Sequence, residues 1–550
     1  MHYIKSVVLL IVTLMFTSCG SESGSNDTKP SQNEESDSRY SLEYKGLTFY
    51  HKNLSSNSYK LNQLTNSEFN NLNKIQKRLV ADKLLSTLFF GYPIKTLDRK
   101  IASESFIDDI KSGLEEDKTD KAWLESYILD DEKFEQSKWN EQEAVNILTR
   151  FYAMKKLDRY FLNNWIAYTL TQTIMFSPAY ELESAHRPNI TRVYNRIVNF
   201  LNEEGGMRYI SYVHMSSEDN WRRFRSPEDN GREMLEIFAL DMNDSHVPIA
   251  GKALQNWKLN RDNDTLVVSL NENHKPLKLF GTTIYNGDDF YRNLVTSNLF
   301  TNGVTSRLVD FFFPNISGVK KDKIVKDIVS SKPETWQDIL LQIVFSEEYL
   351  LKNSRVKSTE ETFFSLSKKI NYLHRRNTFN GLEGKLENMH QATMKYKLGK
   401  LERVPLDTLS FATYYKYVRE EILGRVSNPE TIDDYNAWSR QGWSQDFIVN
   451  DGIDYADLSN KESLTIFIKY LFNSLISRDV TADELKMFQE NILKGESGRE
   501  EFACCFNMFE QNDDPDKEKK KRIENKSRIA LIVLEYIARL DDLYMNKEVK

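Results

Sequence analysis

Apolar residues recur every three or four positions along much of this chain, and this period constrains its fold more than any other feature. Leu72, Ile75 and Leu79 begin one such stripe, and Gly91 and Pro93 close it. This spacing places apolar side chains on one face of an α-helix, and glycine and proline are typical of a helix end. The same period recurs in residues 123–129, 140–154, 160–175, 190–201 and 336–351. We therefore predict a mainly α-helical body built from many helices.

One segment departs from the helical period. Residues 266–268 form a short apolar run suited to a β-strand, and residues 277–280 form a second one. The residues Asn-Glu-Asn at 271–273 lie between them and are typical of a turn. We predict that the two runs pair as one small β-hairpin near residues 265–285, inserted into the helical body.

The size of the chain sets the expected number of domains. With 550 residues, of which 40% are hydrophobic, the chain is long enough for about two or three ordinary cores. We predict a helical domain at 41–352 and a C-terminal helical region at 353–550. The formal net charge of −7 is spread along the chain, so the sequence gives no general attraction to nucleic acid.

The first residues have the pattern of an export signal. Lys5 precedes an uninterrupted apolar stretch at 7–12 and a second at 14–16, and the small residues Thr17 and Ser18 follow. A membrane-spanning helix needs about 20 apolar residues, so this stretch is too short to span a bilayer. A positive start, a short apolar centre and small residues at its end indicate a secretory signal peptide at 1–18.

The end of this signal resembles a bacterial lipoprotein processing site. Residues 16–19 read Phe-Thr-Ser-Cys, where the usual first residue is leucine. The resemblance implies cleavage before Cys19 and a lipid on that cysteine, which would attach the protein to a membrane. Each buried methylene of such a lipid contributes about 0.8 kcal/mol. The other interpretation is a plain signal peptide followed by a cysteine that is present by chance.

The segment after Cys19 is typical of a spacer. Residues 20–38 contain no aliphatic or aromatic side chain, so they cannot bury a core, and we predict a disordered tether at 19–40. Gly20 is similar to the residue that follows the cysteine in lipoproteins sorted to the outer membrane. We therefore expect a cell-envelope location, at the outer membrane, with an exported protein or polymer as partner.

A stripe of charged residues follows a strong helix start. Residues 226–229, Ser-Pro-Glu-Asp, predict a capped N-terminus. Asp229, Arg232, Glu233 and Glu236 then lie at positions i, i+3, i+4 and i+7, on one helix face. One interpretation is a surface salt-bridge stripe that contributes a few tenths of a kcal/mol per pair. The other is a site in which carboxylates bind a cation or act as acid and base.

This stripe also resembles a motif of a known family. Residues 227–237 (PEDNGREMLEI) are similar to the Asn-Glu-Asn-x-Ala-Arg-Glu-Leu-x-Glu-Leu motif of the exported bacterial domain-of-unknown-function family 1800. Residues 252–257 (KALQNW) and 274–281 (HKPLKLFG) are similar to two later motifs, and the resemblance covers about 145–351. The matching positions are Glu228, Arg232, Glu233, Glu236, Trp257, His274, Lys278 and Gly281. The departures are Pro227, Asp229, Gly231, Lys252, Gln255 and Asn256. The family has no established activity, so the resemblance implies only an architecture and export.

Two functional hypotheses follow from these residues. His274 and Lys278 could meet Glu233 in a polar site for anion binding or proton transfer, or the charges could form a buried structural network. Because no known catalytic motif occurs, our first hypothesis is a binding or assembly role without cofactor or metal. The alternative is an envelope hydrolase or metal-assisted enzyme that uses Arg232, Glu233, Glu236 and His274.

The remaining cysteines leave two interpretations open. The chain has three cysteines, and Cys504 and Cys505 are adjacent. They could form a strained bridge or bind a metal, or they could be two small buried residues of a helix. Too few cysteines are present for a disulfide scaffold, so packing must stabilise the body.

Overall fold

The computed structural model describes most of the body of the chain. The described residues are 43–44, 47–119, 154–175, 190–221, 226–260, 265–269, 275–370, 460–493 and 529–549, with several short pieces between them. Predictions that lie outside the described residues concern 1–18, 19–40, Cys19, the helix at 123–129, most of that at 140–154, His274, Cys504 and Cys505. None of the described helices is both long and apolar enough to cross a bilayer.

The described residues are mainly helical, which confirms the predicted fold class. The first helices are α1 (Asn66–Asn70), α2 (Lys74–Thr87), α3 (Ile94–Ile101), α4 (Phe106–Glu115), α5 (Arg159–Thr173), α6 (Ile190–Asn202), α7 (Met207–Met215) and α8 (Glu218–Trp221). The central helices are α9 (Pro227–Ala239), α10 (Val247–Ala253), α11 (Gly287–Thr296), α12 (Asn298–Phe312), α13 (Gly318–Ser330), α14 (Trp336–Val344) and α15 (Glu347–Leu350). The last are α16 (Thr359–Lys369), α17 (Lys461–Ile476), α18 (Ala482–Leu493) and α19 (Asp541–Tyr544).

Helix starts follow the capping residues of the sequence. The side chain of Asn73 accepts a hydrogen bond from the backbone N–H of Gln76, and the Gln76 side chain accepts one from the N–H of Asn73, so α2 begins with a complete capping box. The predicted helix at 336–351 is two helices, because Ser346 caps α15 by accepting from the N–H of Tyr349. The helical period alone does not show this break.

Small antiparallel pairs join the helices. The pairs are β1 (Glu43–Tyr44) with β2 (Leu47–Thr48), β3 (Trp257–Asn260) with β4 (Thr265–Val268), β5 (Leu277–Leu279) with β6 (Thr282–Ile284), β7 (Arg355–Val356) with β10 (Met545–Asn546), and β8 (Tyr372–Leu373) with β9 (Gly442–Trp443). Each of these sheets therefore has only two strands.

The predicted pairing of 266–268 with 277–280 is wrong. Both strands exist, but β4 pairs with β3 and β5 pairs with β6. Both observed pairs close over short connections, which cost less chain entropy than a longer loop. At the β5–β6 turn, Phe280 has φ 49° and Gly281 has φ 77°, the left-handed conformations that a tight two-residue hairpin needs.

Residues of the predicted C-terminal region 353–550 pack directly on the predicted domain 41–352. Helix α16 lies against α2, and α17 also contacts α2. The ammonium of Lys369 on α16 donates to the carbonyl of Leu475 at 3.1 Å. Strand β7 pairs with β10, so residues near the two ends of the 353–550 segment meet.

Close helix contacts position the charged stripe. Helix α9 packs against α10 and α12. A Cβ on Gly231 of α9 would lie 2.6 Å from the Cβ of Ala250 on α10, and a Cβ on Gly303 of α12 would lie 2.5 Å from the carbonyl oxygen of Phe238. Real Cβ atoms do not approach so closely, so these glycines allow the backbones to touch.

Candidate functional site

The charged stripe lies on α9, whose start has the predicted geometry. Ser226 is the N-cap, and its hydroxyl accepts a hydrogen bond from the N–H of Asp229 at 3.1 Å. Pro227 occupies the first helical turn, where its missing N–H costs nothing. The helix ends at Leu240, which adopts a left-handed conformation with φ 52°. A polar loop at 241–246 then leads into α10.

Arg232 pairs with this loop. Its guanidinium donates to Oδ1 of Asp244 at 3.1 Å, and the two side chains are 44% and 88% exposed. Among the described residues, no hydrogen bond or ion pair joins Arg232 to Glu236. The Arg232–Asp244 pair is an exposed ion pair, whose contribution to stability is typically below about 1 kcal/mol.

Glu236 and Lys278 each contact a group outside the charged stripe. Glu233 and Glu236 are half-buried on α9, and the backbone carbonyl of Glu236 accepts a hydrogen bond from Arg307 at 2.9 Å. Lys278 is exposed on β5, and its ammonium donates to the hydroxyl of Thr283 on the neighbouring strand. His274 lies outside the described residues, so its predicted meeting with Glu233 stays a prediction.

Two positions that match the family motif have structural roles. Trp257 is buried, and its ring stacks on Trp221 with a centroid distance of 5.9 Å and an interplanar angle of 21°. Gly281 supplies the positive φ of the β5–β6 turn. The Trp257–Trp221 contact packs β3 against α8, and Gly281 allows the tight β5–β6 turn, so both residue types are explained without any reaction.

The structure brings together an acid–base pair that the sequence analysis did not identify. Nδ1 of His246 lies 2.6 Å from Oδ2 of Asp241, with side chains 25% and 10% exposed. The Phe280 ring packs edge-on against the imidazole at 5.5 Å. A carboxylate on Nδ1 fixes the ring orientation and the tautomer, so Nε2 is oriented to accept a proton.

The surrounding loop is hydrogen-bonded to itself. Nδ2 of Asn243 lies 3.4 Å from Nε2 of His246, and Oδ1 of Asn243 accepts from the N–H and hydroxyl of Ser245. The contacts satisfy the imidazole within the loop, so the pair primarily shapes the loop. A histidine five residues after an aspartate, in a polar loop between two helices, is the sequence signal for it.

The candidate residues do not form a metal site in the described part of the chain. No group of three or more histidine, cysteine, aspartate or glutamate side chains converges there. The loop at 241–246 offers Asp241 and His246, but these bind each other. Our expectation of a chain without metal stays a prediction, because His274, Cys504 and Cys505 are not among the described residues.

A buried cluster of charged residues lies elsewhere, between α2, α15, β7 and α16. Arg355 and Glu361 are 0% and 2% exposed and form a bidentate ion pair. The distances are 2.7 Å from Nη1 to Oε2 and 2.6 Å from Nη2 to Oε1. Arg355 also donates to the hydroxyls of Tyr349 and Thr87, and the Thr87 contact is 3.1 Å. Burial opposes the charge of Arg355, but the Glu361 carboxylate raises the pKa of the guanidinium above its usual value.

Lysines surround this buried pair. Lys83 is 1% exposed and donates to the carbonyls of Asn353 at 2.8 Å and Tyr349 at 3.4 Å. Lys369 pairs with Asp82 at 2.9 Å. Each of these groups is satisfied by partners from distant parts of the chain. The cluster therefore joins α2 to the residues that follow α14, and we interpret it as structural.

Stability should depend on the protonation of Lys83. Burial, together with the charge of Arg355, lowers the pKa of Lys83 from 10.5 to about 7. Between these values the unfolded chain binds the proton and the folded protein does not, so stability rises with pH from about 7 toward 10. We expect the thermal midpoint of the Lys83→Met variant to rise less than that of wild type between about pH 7 and pH 9. The thermal midpoints are measured by circular dichroism. If those of the two proteins change equally with pH, the assignment to Lys83 is wrong.

Comparisons with known proteins identify no relative of this chain. No protein-family model matches the chain, and searches of curated proteins and of solved structures find no match. The resemblance of residues 227–237, 252–257 and 274–281 to the family motifs therefore stays a prediction.

Proposed function

We propose that this protein is a lipid-anchored component of the bacterial cell envelope, with a binding or assembly role toward an exported protein or polymer. The observation that carries the proposal is the sequence Phe-Thr-Ser-Cys at 16–19 after a short apolar stretch, followed by the polar segment 20–38. An anchor followed by a spacer is useful to a protein whose body must reach a partner near a membrane.

The attachment of the spacer to the body supports this arrangement. The N–H of Leu54 donates to Oδ1 of Asp338 at 2.7 Å, and the hydroxyl of Thr335 donates to Oδ1 of Asn53 at 2.8 Å. The backbone of Gly206 donates to the carbonyl of Phe49. The chain is thus fixed to the helices about 10 to 15 residues after the predicted tether, so the tether connects directly to the folded body.

Exposed apolar side chains in the segment that follows the charged stripe in the sequence support a binding role. Met242 lies in the 241–246 loop, Val267 on β4 and Tyr285 directly after β6, and all three are exposed. Exposed apolar side chains are found on surfaces that contact other molecules. The alternative enzyme hypothesis, with Arg232, Glu233, Glu236 and His274, stays a prediction and would need those groups to converge.

The anchor can be tested by replacing its cysteine. We expect the wild-type protein to carry the mass of a lipidated Cys19 and to partition into detergent, and the Cys19→Ala variant to lose both properties. The measurements are intact mass and detergent phase partitioning. The matched control is Cys504→Ala, which should keep the lipid. A wild-type protein that has no added mass and stays in the aqueous phase would overturn the proposal.

A further inference from the structure

Helix α13 presents a basic outer face. Its inner side buries Ile324, Val325 and Ile328. The outer side exposes Val319, Lys320, Asp322, Lys323 and Lys326, so three lysines and one aspartate face the solvent, and Val319 is 81% exposed. Exposed lysines are attracted to anionic lipid by about 1 kcal/mol each when they lie near the membrane surface.

The charge of α13 is opposite to that of the whole chain. The helix carries four lysines and two aspartates, so its formal charge is 4 − 2 = +2, whereas the chain has −7. Lys323 pairs with Asp327 at 3.2 Å, and Lys321 pairs with Asp310 at 2.8 Å. Within the described part of the chain, no ion pair involves Lys320 or Lys326. Their charges therefore remain available to a negatively charged partner.

This helix lies close in the chain to the point where the predicted tether meets the body. Residues 47–54 enter along the segment that follows α13, through the bonds of Asn53 with Thr335 and of Leu54 with Asp338. Nδ1 of His51 also lies 3.8 Å from Glu334. Exposed Lys332 lies between the end of α13 and these contacts. The basic helix and the chain entry therefore lie on neighbouring parts of the body.

The tether length allows this side of the body to touch the membrane. A flexible chain of the length of the predicted tether, residues 19–40, has an average end-to-end distance of roughly 25 Å. Helix α13 has 13 residues and is about 20 Å long. Both ends of the helix are therefore within reach of a bilayer that holds Cys19.

We propose that the outer face of α13 docks on the anionic headgroups of the membrane to which the protein is anchored. The proposal rests on the proposed lipid anchor, since the anchor supplies the nearby membrane. Lys320, Lys323 and Lys326 contact lipid phosphates, and Val319 enters the headgroup layer. This contact orients the body, so that α13 faces the lipid and other surfaces face the partner.

The test measures vesicle binding without the anchor. The protein is the chain from residue 19 onward with Cys19→Ala, mixed with vesicles of phosphatidylethanolamine and phosphatidylglycerol or of phosphatidylcholine alone. We expect binding to the anionic vesicles only, weakened by added salt. Since each lysine near an anionic surface strengthens binding roughly fivefold, Lys320→Glu, Lys323→Glu and Lys326→Glu together should weaken it about a hundredfold or more.

A matched variant controls for net charge. Lys461, Lys469 and Lys486 are exposed on α17 and α18, and changing all three to glutamate alters the charge by the same amount. We expect this variant to bind like the parent protein. Equal loss in both variants, salt-independent binding, or no preference for anionic vesicles would overturn the docking proposal. The mass of wild-type Cys19 is measured separately, so failure of the anchor and failure of the docking surface are distinguishable.

Discussion

Replacing Glu361 by alanine should lower the free energy of unfolding by about 3–5 kcal/mol, because it leaves the buried guanidinium of Arg355 without its charge partner. Arg355 is fully buried, and both terminal nitrogens of its guanidinium donate to this carboxylate. Glu361 also accepts the N–H of Ser358, so the start of α16 loses one of the two hydrogen bonds of its capping box. The measurement is urea unfolding of the soluble chain with Cys19→Ala, followed by circular dichroism.

A double variant separates the lost pair from general damage to the core. Arg355→Met with Glu361→Leu removes both charges and keeps apolar volume, so we expect it to recover much of the lost stability. The remaining hydroxyls of Thr87 and Tyr349 can still bond to each other. If Glu361→Ala is as stable as the parent protein, the ion pair does not stabilise the junction between α2 and α16.

Replacing Gly303 by alanine should destabilise the protein by about 3 kcal/mol. The new Cβ would lie 2.5 Å from the carbonyl oxygen of Phe238 and 2.8 Å from the Cα of Ala239. Both are backbone atoms, so relief requires that α12 move away from the end of α9. The strain should exceed the gain of up to about 1 kcal/mol that alanine brings to a helix. Thermal unfolding with a fluorescent dye measures the change.

Gly318 provides the matched control for Gly303. A Cβ on Gly318 meets no atom within 4 Å, so Gly318→Ala should be neutral or slightly stabilising. If the two substitutions change the stability equally, the backbones of α12 and the end of α9 do not pack closely at Gly303.

Local features of the fold could be predicted from the sequence, whereas long-range pairings could not. The helix starts at Asn73 and Ser226 follow from capping residues that lie within one turn of each other. Strand pairing depends on which loop closes at the lowest cost. The Asn-Glu-Asn at 271–273 indicates a turn but does not identify the strands that pair, and the actual turn at Phe280 and Gly281 contains no asparagine.

In the candidate site, too, the local features could be predicted from the sequence and the long-range contacts could not. The stripe spacing of Arg232, Glu233 and Glu236 correctly places them on one helix, but it does not show that Arg232 reaches forward to Asp244. The partner lies in a loop whose conformation is set by the left-handed Leu240 and by the Asp241–His246 bond. Side-chain partners of this kind depend on loop geometry, which the spacing of apolar residues in the sequence does not determine.

The buried cluster is the least predictable feature. Thr87 and Arg355 are hydrogen-bonded although they are 268 positions apart. A single sequence offers only a weak signal, namely a lysine such as Lys83 inside an apolar run. Charged residues in such runs are rarely buried unless they are paired, and the pairing itself needs the tertiary fold.

The pairing of β7 with β10 has a consequence for folding kinetics. Arg355 lies opposite Asn546, so this sheet joins residues about 190 positions apart, and contacts over such distances form slowly. The N–H of Lys357 also donates to the carbonyl of Tyr544 at 2.8 Å. A chain made from its N-terminus therefore cannot close this part of the core until residues near 546 have emerged. Until then this part of the core stays open, so the body becomes rigid only when nearly the whole chain has been made.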